Sequence, residues 1–578
     1  MEERIMKKCF SNIRTLAALL MAGAAFAACS SDDNSIEQPA NATAPKTYTL
    51  TINASKGASA STRALALDGA KLVASWAEGD ELSVFKAEDR TGCTAGNLLG
   101  TISPVAGSIS ANGDQATFTG TLTGTVSNGD KLMLVYHPAA FDIAGFEGQA
   151  GTLASASALD CATASVTASV SGSDITISET SATFTTHTAM LKLTLTTDGT
   201  TTINPTSLKM SMSLGTTTLK EFTFTPTDAT YTANGNGVLY FALPSVEDVA
   251  AGLSTPPITI TTTQLAGVTI TYTATVGSDT YTATKTGYTF AAGKYYAGTL
   301  TMYDKEMNLS TTSSDVTVPA GEHWLIKGSA GNICVTIGDG ATVTLNGVEF
   351  SMDDSKPCIK CSGDATIILA DGTTNTLTAT ASDYGGGIQA GPTDKTLTIK
   401  GNTGVLNVEI NHDSDAAAIG AYDRTACGDI VIEGGVINAT SQNGAAIGAC
   451  YEAACGNITI SGGTVTAKAG GAGGFPGVGI GGHYDTACGN IKITGGTVTA
   501  TGFDEPGIGG DNICGDITIS GGTVKATKGE YADKCIGTND GGTCGTITIG
   551  GTVYWDGSNY QNDGGSYLTQ STITYPAP

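Results

Sequence analysis

Residues 482–502 read GHYDTACGNIKITGGTVTATG, and near copies surround them: TACGDIVIEGG from 425, AACGNITISGG from 453, ICGDITISGG from 513 and TCGTITIGG from 543. Aligned on the cysteine, these phrases put Cys427, Cys455, Cys488, Cys514 and Cys544 at steps of 26 to 33 residues. A second marker repeats in phase, the isoleucines at 359, 388, 419, 447, 480, 508 and 536. Two independent ladders of one period identify a structural repeat. Within a repeat Ile491 and Ile493 face one side, the double glycine turns the chain, Val498 and Ala500 begin a second apolar face, and Ile508 supplies a third short strand. No stretch is long enough for a helix, so three short strands per repeat predict a parallel β-helix, whose coils bury their apolar edges only by stacking. Stacked coils lie about 4.8 Å apart. Equivalent residues therefore become columns. Earlier coils, ATVTLNGVEFSMDDSKPCIKCSG from 341, DATIILADGTTNTLTATASDYGGGIQAG from 364 and TLTIKGNTGVLNVEINHDSDAAAIGA from 396, follow the scheme less regularly, for seven or eight coils in all.

Working outward, the chain has 578 residues, 40% hydrophobic and only 14% charged, with 77 glycines. It is long enough for several buried cores, and its Thr-, Ser- and Ala-rich segments favour β-structure throughout. The formal net charge of -25 argues against nucleic acid, because binding phosphates requires clustered Lys and Arg. Neutral glycans, proteins or divalent cations are the expected partners. Residues 1–28 combine a basic start with the short apolar run LAALLMAGAAFAA, the pattern of a signal peptide. The run closes on FAAC and resembles the lipobox of bacterial lipoproteins, with Phe26 where Leu is usual. The resemblance implies a lipidated Cys29, and the SSDDNS that follows resembles the surface-export signal of outer-membrane lipoproteins in Bacteroides-like bacteria. The expected location is thus the cell outer membrane, surface-exposed, with lipid as the only anchor. Residues 29–46 are polar and Pro-containing, which suits a tether.

From Tyr48 the pattern changes to alternation: YTLTI at 48, DELSVF at 80, ATFTGTLTG at 116, KLMLVY at 131, MLKLTLTT at 190, VLYFAL at 238, ITITTT at 258 and YYAGTLTMY at 295. Such runs predict half-buried antiparallel strands and a pair of β-sandwiches over 47–303. STRA at 61, Trp76 followed by EGDELSVF, VYHPAA, AMLKLTL and FAAGKYYAGTLTM at 290 together resemble the landmarks of the fimbrillin family. That family builds cell-surface fimbriae from lipoprotein precursors with two transthyretin-like β-sandwiches. The resemblance implies structural and adhesive work, other fimbrial subunits as partners, and a fimbrial location. It also implies that Arg63, beyond the first strand, is either a proteolytic processing site that opens a groove for a neighbour's strand or a solvated loop residue. Because the sandwich runs on into another domain, a tip or accessory component, or a free-standing adhesin, fits better than a shaft subunit. A polar stretch, 304–314, reads as a linker, and 315–578 as the β-helix. The whole is all-β: two transthyretin-like β-sandwiches followed by a right-handed parallel β-helix. Phrases such as ATVTLNGVEF and DATIILADGTTNTL resemble a bacterial carbohydrate-binding domain family with a pectate-lyase-like right-handed β-helix, which implies glycan binding, to host or dietary polysaccharide.

Each group that could carry chemistry has a plainer alternative. The cysteine ladder reads as sulfur filling an inward corner, since side chains pointing the same way in register rarely reach disulfide geometry. Cys358 and Cys361 spell CxxC, but strand alternation sends them to opposite faces. The five histidines form no ligand spacing, and GVGIGG at 477 lacks the strand–turn–helix context of a phosphate loop. The loop before each cysteine carries AYDR at 421, CYEA at 450 and HYDT at 483, placing Tyr422, Tyr451 and Tyr484 in one column beside Asp423, Glu452 and Asp485, with Asp511 and Asp540 continuing the acids. Tyrosine faces stack on sugar rings, or simply cover the core. The acids are either solvated or, at Asp423, Glu452, Asp485 and Asp511, could hold Ca²⁺. No catalytic residues, and no cofactor other than that calcium, are expected. The competing enzymatic reading is a Ca²⁺-dependent polysaccharide lyase, for which Arg424 is the only cation beside the column. A purely structural or protein-binding fimbrial component is the other alternative.

Overall fold

The computed structural model describes residues 46–56, 66–68, 71–73, 75–137, 146–197, 199–244, 267–287, 290–380, 386–411, 416–421, 424–470 and 476–576. The expected signal peptide, Cys29, the tether up to residue 45, Arg63 and the strand at 258–263 lie outside the described residues. The chain divides into two compact units, one ending at Met302 and the other beginning at Tyr303. No helix among the described residues is long and apolar enough to cross a membrane.

The first unit is a pair of β-sandwiches. Strand Lys46–Lys56 pairs antiparallel with Gln115–Gly124 from Lys46↔Gly124 to Ser55↔Gln115. Its alternation buries Tyr48, Leu50, Ile52 and Ala54. Eight strands join in one sheet that closes on itself, because Ala162–Ser171 pairs with Ala182–Thr186 and Lys46–Lys56 with Asp174–Ile177. Trp76 sits in this core, edge-on to Phe118 at 4.7 Å and Phe184 at 5.4 Å between ring centroids. The second sandwich packs a three-stranded sheet, Val238–Pro244, Thr188–Thr196 and Tyr295–Thr301, against a four-stranded one. Phe241 of the first stacks on Phe224 of the second at 4.0 Å. The strands were expected to be antiparallel; three pairings differ. Lys46–Lys56 runs parallel to both Ala182–Thr186 and Asp174–Ile177, and Tyr295–Thr301 runs parallel to Thr188–Thr196. Alternation reports which face is buried but is blind to strand direction.

The second unit is a parallel β-helix. It starts earlier than expected: Lys305–Asn308, in the predicted linker, pairs parallel with His323–Gly331 as an outer rung, and Leu309 is buried in the core behind it. The long strand Ala341–Met352 begins two ladders. One continues through Ala365–Leu369 and Thr396–Gly401 to Asp429–Ile432, Ile458–Ile460, Ile491–Ile493, Ile517–Ile519 and Thr546–Ile549, and the other runs through Thr374–Ala379 to Thr523–Thr527. The isoleucine marker forms a nine-stranded sheet from Val316–Val318 to Ile536–Thr538, so the stack is longer than the seven or eight coils expected. The cysteines form a fourth ladder of two-residue strands, Ala426–Cys427 to Thr543–Cys544, where three strands per coil were predicted.

Register is like-on-like. Ile430, Ile458, Ile491, Ile517 and Ile547 pair in sequence, as do Cys427, Cys455, Cys488, Cys514 and Cys544. Glycine is required at two places in the regular coils from Ile419 onward. In the double-glycine turn the second residue is left-handed, as at Gly496 with φ 81°, and a Cβ on the first, Gly495, would lie 2.3 Å from the Ser461 carbonyl oxygen. After the marker isoleucines from Ile419 to Ile508 the glycine is tighter still: a Cβ on Gly481 would lie 1.7 Å from the Gly509 carbonyl oxygen. The Asp or Asn after the first four Cys-Gly pairs has a structural purpose that the pattern alone did not disclose. Asp429 Oδ1 accepts from the Asn457 backbone N–H at 2.7 Å, Asn457 from Asn490 at 3.0 Å, and Asn490 from Asp516 at 2.8 Å. The C-terminus turns back antiparallel, Thr552–Asp556 on Thr546–Ile549 and Thr572–Tyr575 on Thr523–Thr527, and so covers sheet edges that would otherwise pair with another chain.

Candidate ligand-binding face

The step from marker isoleucine to cysteine is eight positions in three successive coils, Ile419 to Cys427, Ile447 to Cys455 and Ile480 to Cys488. Pairing on both sides, Ile447↔Ile480 and Cys455↔Cys488, puts Tyr451 level with Tyr484 and Glu452 level with Asp485. In the coil before, the pairs Ile419↔Ile447 and Cys427↔Cys455 put Arg424 level with Glu452. Arg424, Glu452 and Asp485 share a left-handed backbone, φ 52°, 47° and 53°, a conformation that costs a non-glycine residue about 1 kcal/mol or more and marks this position as a repeated feature of the corner. The expected column also included Tyr422 and Asp423. Both residues lie outside the described residues.

Tyr451 and Tyr484 stack with ring centroids 5.7 Å apart and planes 4° from parallel. At a coil spacing of about 4.8 Å the rings are offset along the helix axis, one over the other, not side by side as flat faces turned outward. The Arg424 guanidinium, one coil earlier, lies over the Tyr451 ring at 5.4 Å, and its Nε donates to Glu452 Oε2 at 2.9 Å. Tyr451 is thus sandwiched, while Tyr484 is 50% exposed and keeps a face toward the next coil, where Asn512 and Ile513 stand in place of an aromatic ring. Hydrogen bonding to Arg424 holds the Glu452 carboxyl below its ordinary value.

Among the described residues, Glu452, Asp485 and Asp511 each have a nearby donor, and Asp423 lies outside them. Glu452 is held by Arg424; Asp485 accepts from Asn512 Nδ2 at 2.8 Å, and Asp511 from Asn539 Nδ2 at 3.3 Å. Among the described residues no group of three His, Cys, Asp or Glu side chains converges as a metal site. Behind the loop lie two groups of a different character. His483 and Glu505 are both buried, with Nδ1 3.9 Å from Oε1. Burial, reinforced by Asp511 and Asp504, pushes the Glu505 carboxyl up to about 9, and burial pulls the His483 imidazole down to about 4, so both are neutral near pH 7. Glu505 escaped the sequence analysis. Its signal was an acid three residues before the marker Ile508, where the two preceding coils place Gly444 and Gly477.

The cysteine column points inward as expected: Cys427, Cys455, Cys488 and Cys514 are buried and Cys544 half-buried, all as thiols. Hydrogen bonding along the row and burial hold Cys455 and Cys514 well above the ordinary thiol value. Cys358 and Cys361, expected on opposite faces, are both buried and each is pushed up to about 12 by burial, because Cys358 precedes the strand Ile359–Cys361 and alternation does not extend to it. Burial makes Cys358 and Cys361 inert, whereas hydrogen bonds from Cys455 and Cys514 hold the Cys488 thiol between them well below its ordinary value.

Four segments of this region, 430–449, 458–482, 491–512 and 517–542, match the model of the beta helix repeat family. Comparison with curated proteins gave no match. Among solved structures, the chain is similar to a candidate cell adhesion protein from Bacteroides uniformis, at 16% identity over 44% of this chain and 94% of that one, with a TM-score of 0.24. A fimbrial protein from Bacteroides ovatus aligns at 11% identity over 44% of this chain and 49% of its own, with a TM-score of 0.21. A fimbrial assembly protein from Parabacteroides distasonis aligns at 11% identity over 44% and 90%, with a TM-score of 0.20. At such scores a likeness carries no weight of its own for function.

Proposed function

We propose that this chain is a cell-surface adhesin, or a tip or accessory component of a fimbrium, lipid-anchored through Cys29 in the outer membrane, whose β-helix binds carbohydrate at the corner carrying Tyr451 and Tyr484. The observation that supports it most is the half-exposed Tyr484 ring, backed by the parallel Tyr451 ring and by Arg424, an aromatic face held in one orientation before any ligand arrives. A pyranose ring has an apolar C–H face that packs on such a ring, while its hydroxyls reach polar groups such as Asp485 and Asn512. The stacking of Tyr451 between Arg424 and Tyr484 favours one sugar face at the end of the tyrosine pair over a sugar chain lying across a column. Calcium is not needed at acids that already have donors. A lyase would need a free base, and Arg424 is engaged with Glu452.

The test is a glycan array probed with the whole secreted chain and with its Tyr484→Ala variant. Binding that drops at least tenfold in the variant supports this site; binding unchanged moves it elsewhere, and an array empty for both leaves the structural or protein-binding reading. Mass spectrometry of the mature N-terminus tests the rest: a lipidated Cys29 marks an anchored protein, and a start at Ala64 marks cleavage after Arg63 and assembly.

A further inference from the structure

A cavity of about 250 Å³ lies at the C-terminal end of the β-helix, three coils beyond Tyr451, in a place that neither the repeat nor the tyrosine pair accounts for. Its lining includes two buried residues from the end of the core, Ile547 and Leu568. One wall is Trp555, whose Nε1 donates to the Cys544 carbonyl at 3.1 Å, so the indole is fixed. Tyr560 meets that ring edge-on at 5.0 Å and is 45% exposed. Opposite, the Lys534 ammonium donates to the Thr538 carbonyl at 2.8 Å and pairs with Asp540 at 3.4 Å. The Lys534 side chain is 13% exposed and that of Asp540 84%, so the ammonium is held at the wall while the carboxylate stands at the mouth.

We propose that this cavity binds a single neutral pyranose, as the terminal residue of a glycan. The volume is below the roughly 300–1,000 Å³ of pockets for drug-sized ligands and suits one ring. Two aromatic side chains and the apolar part of the lining match the C–H face of a sugar. The Lys534–Asp540 pair matches neighbouring hydroxyls, each of which accepts from an ammonium and donates to a carboxylate at once. The pair has no net charge, and Asp533 and Asp511 lie in the adjacent loops, so a uronate would enter against a negative field. Among the described residues of the β-helix, the exposed large hydrophobic side chains are Tyr484, Ile513, Tyr531 and Tyr560, all in the final coils and cap, which is where a ligand-facing end belongs. This proposal shares its ligand class with the proposed function but uses a different site.

The experiment adds methyl glycosides of glucose, galactose, mannose and N-acetylglucosamine, with methyl glucuronide as the charged comparison, to the whole chain. Saturation-transfer NMR and tryptophan emission are the readouts. At least one neutral glycoside should receive saturation and change the emission, glucuronide should bind at least fivefold more weakly, and Asp540→Ala and Tyr560→Ala should each weaken binding at least tenfold. Both side chains are exposed enough for the variants to fold, which circular dichroism checks, and Tyr484→Ala should bind the monosaccharide as the unaltered chain does. No saturation transfer with any glycoside overturns the pocket. Binding that Tyr484→Ala abolishes and Asp540→Ala leaves intact also overturns it, and returns the ligand to the tyrosine pair.

Discussion

The two units use the same short-strand, threonine-rich vocabulary and bury it in opposite ways. In the sandwiches each strand meets a partner of unrelated sequence, as when Lys46–Lys56 lies between Gln115–Gly124 and Ala182–Thr186, and the core is filled by large aromatic rings such as Trp76, Phe118, Phe184, Phe224 and Phe241. In the β-helix each strand meets its own counterpart from the next coil, and the core is a set of identical aliphatic rungs. A substitution in the first unit is felt by one packing arrangement. In the second it interrupts a column, and a side chain on a loop is automatically placed beside its equivalents. That is why Tyr451, Tyr484 and Arg424 come together without any long-range pairing dedicated to them.

The comparison can be broken most sharply at glycine. Gly481→Ala places a Cβ on the next coil's carbonyl and should cost more than about 4 kcal/mol, whereas Gly215→Ala, in a sandwich hairpin with φ 59° and nothing within 4 Å of the new methyl, should cost about 1 kcal/mol. Denaturant melts of the two variants read the difference, and equal losses would mean that the coil stack yields more easily than its backbone contacts imply. Next in size are core truncations: Phe118→Ala should cost about 3–5 kcal/mol, and Val498→Ala, one rung of many, about 2 kcal/mol.

A pH titration separates individual buried and surface groups by sign. In the sandwiches Asp130, held below its ordinary value chiefly by Lys86, contributes stability that is present above the unfolded value and lost as pH falls through the folded one. Glu505 is the reverse. Its contribution is complete below the unfolded value near 4.5 and is lost as pH climbs toward about 9. Buried His483, lowered to about 4, contributes above its unfolded value of 6.5 and loses that contribution between there and pH 4. Glu505→Gln should therefore leave the β-helix more stable than the unaltered chain at pH 9, by at most about 1.4 kcal/mol for each pH unit above 5, and the gap should close toward pH 4. Thermal melts from pH 4 to 9 test it; a gap independent of pH would mean that Glu505 is already ionised. The smallest effect is expected from Arg424→Ala, whose exposed pair with Glu452 should contribute less than about 1 kcal/mol and fade in high salt. Its loss should still loosen Tyr451, which ring-proton linewidths would report.

Much of the β-helix was legible in advance because its contacts are nearly local. The period set by the cysteines and isoleucines is the distance to the spatial neighbour, so the sequence states its own register. Even so, the loop before each cysteine was legible only as a shared pattern of tyrosine and acid, and pairing on both flanks was needed to bring Arg424 level with Glu452. The Asp and Asn ladder was visible as a repeated letter but not as a function, because its meaning is a hydrogen bond to the backbone of the next coil.

By itself the sequence determined the all-β class, the division into alternating strands and a repeat, and the inward cysteine column, all of which follow from periodicity. The tertiary structure alone decided the parallel pairings in the sandwiches, the rung built from the expected linker, the offset stacking of Tyr451 on Tyr484, and the burial of Glu505 beside His483. It alone also brought Lys534 opposite Trp555 and Tyr560. Strand direction, loop register and the meeting of residues from different coils depend on where the chain returns in space, and period and composition do not encode that return.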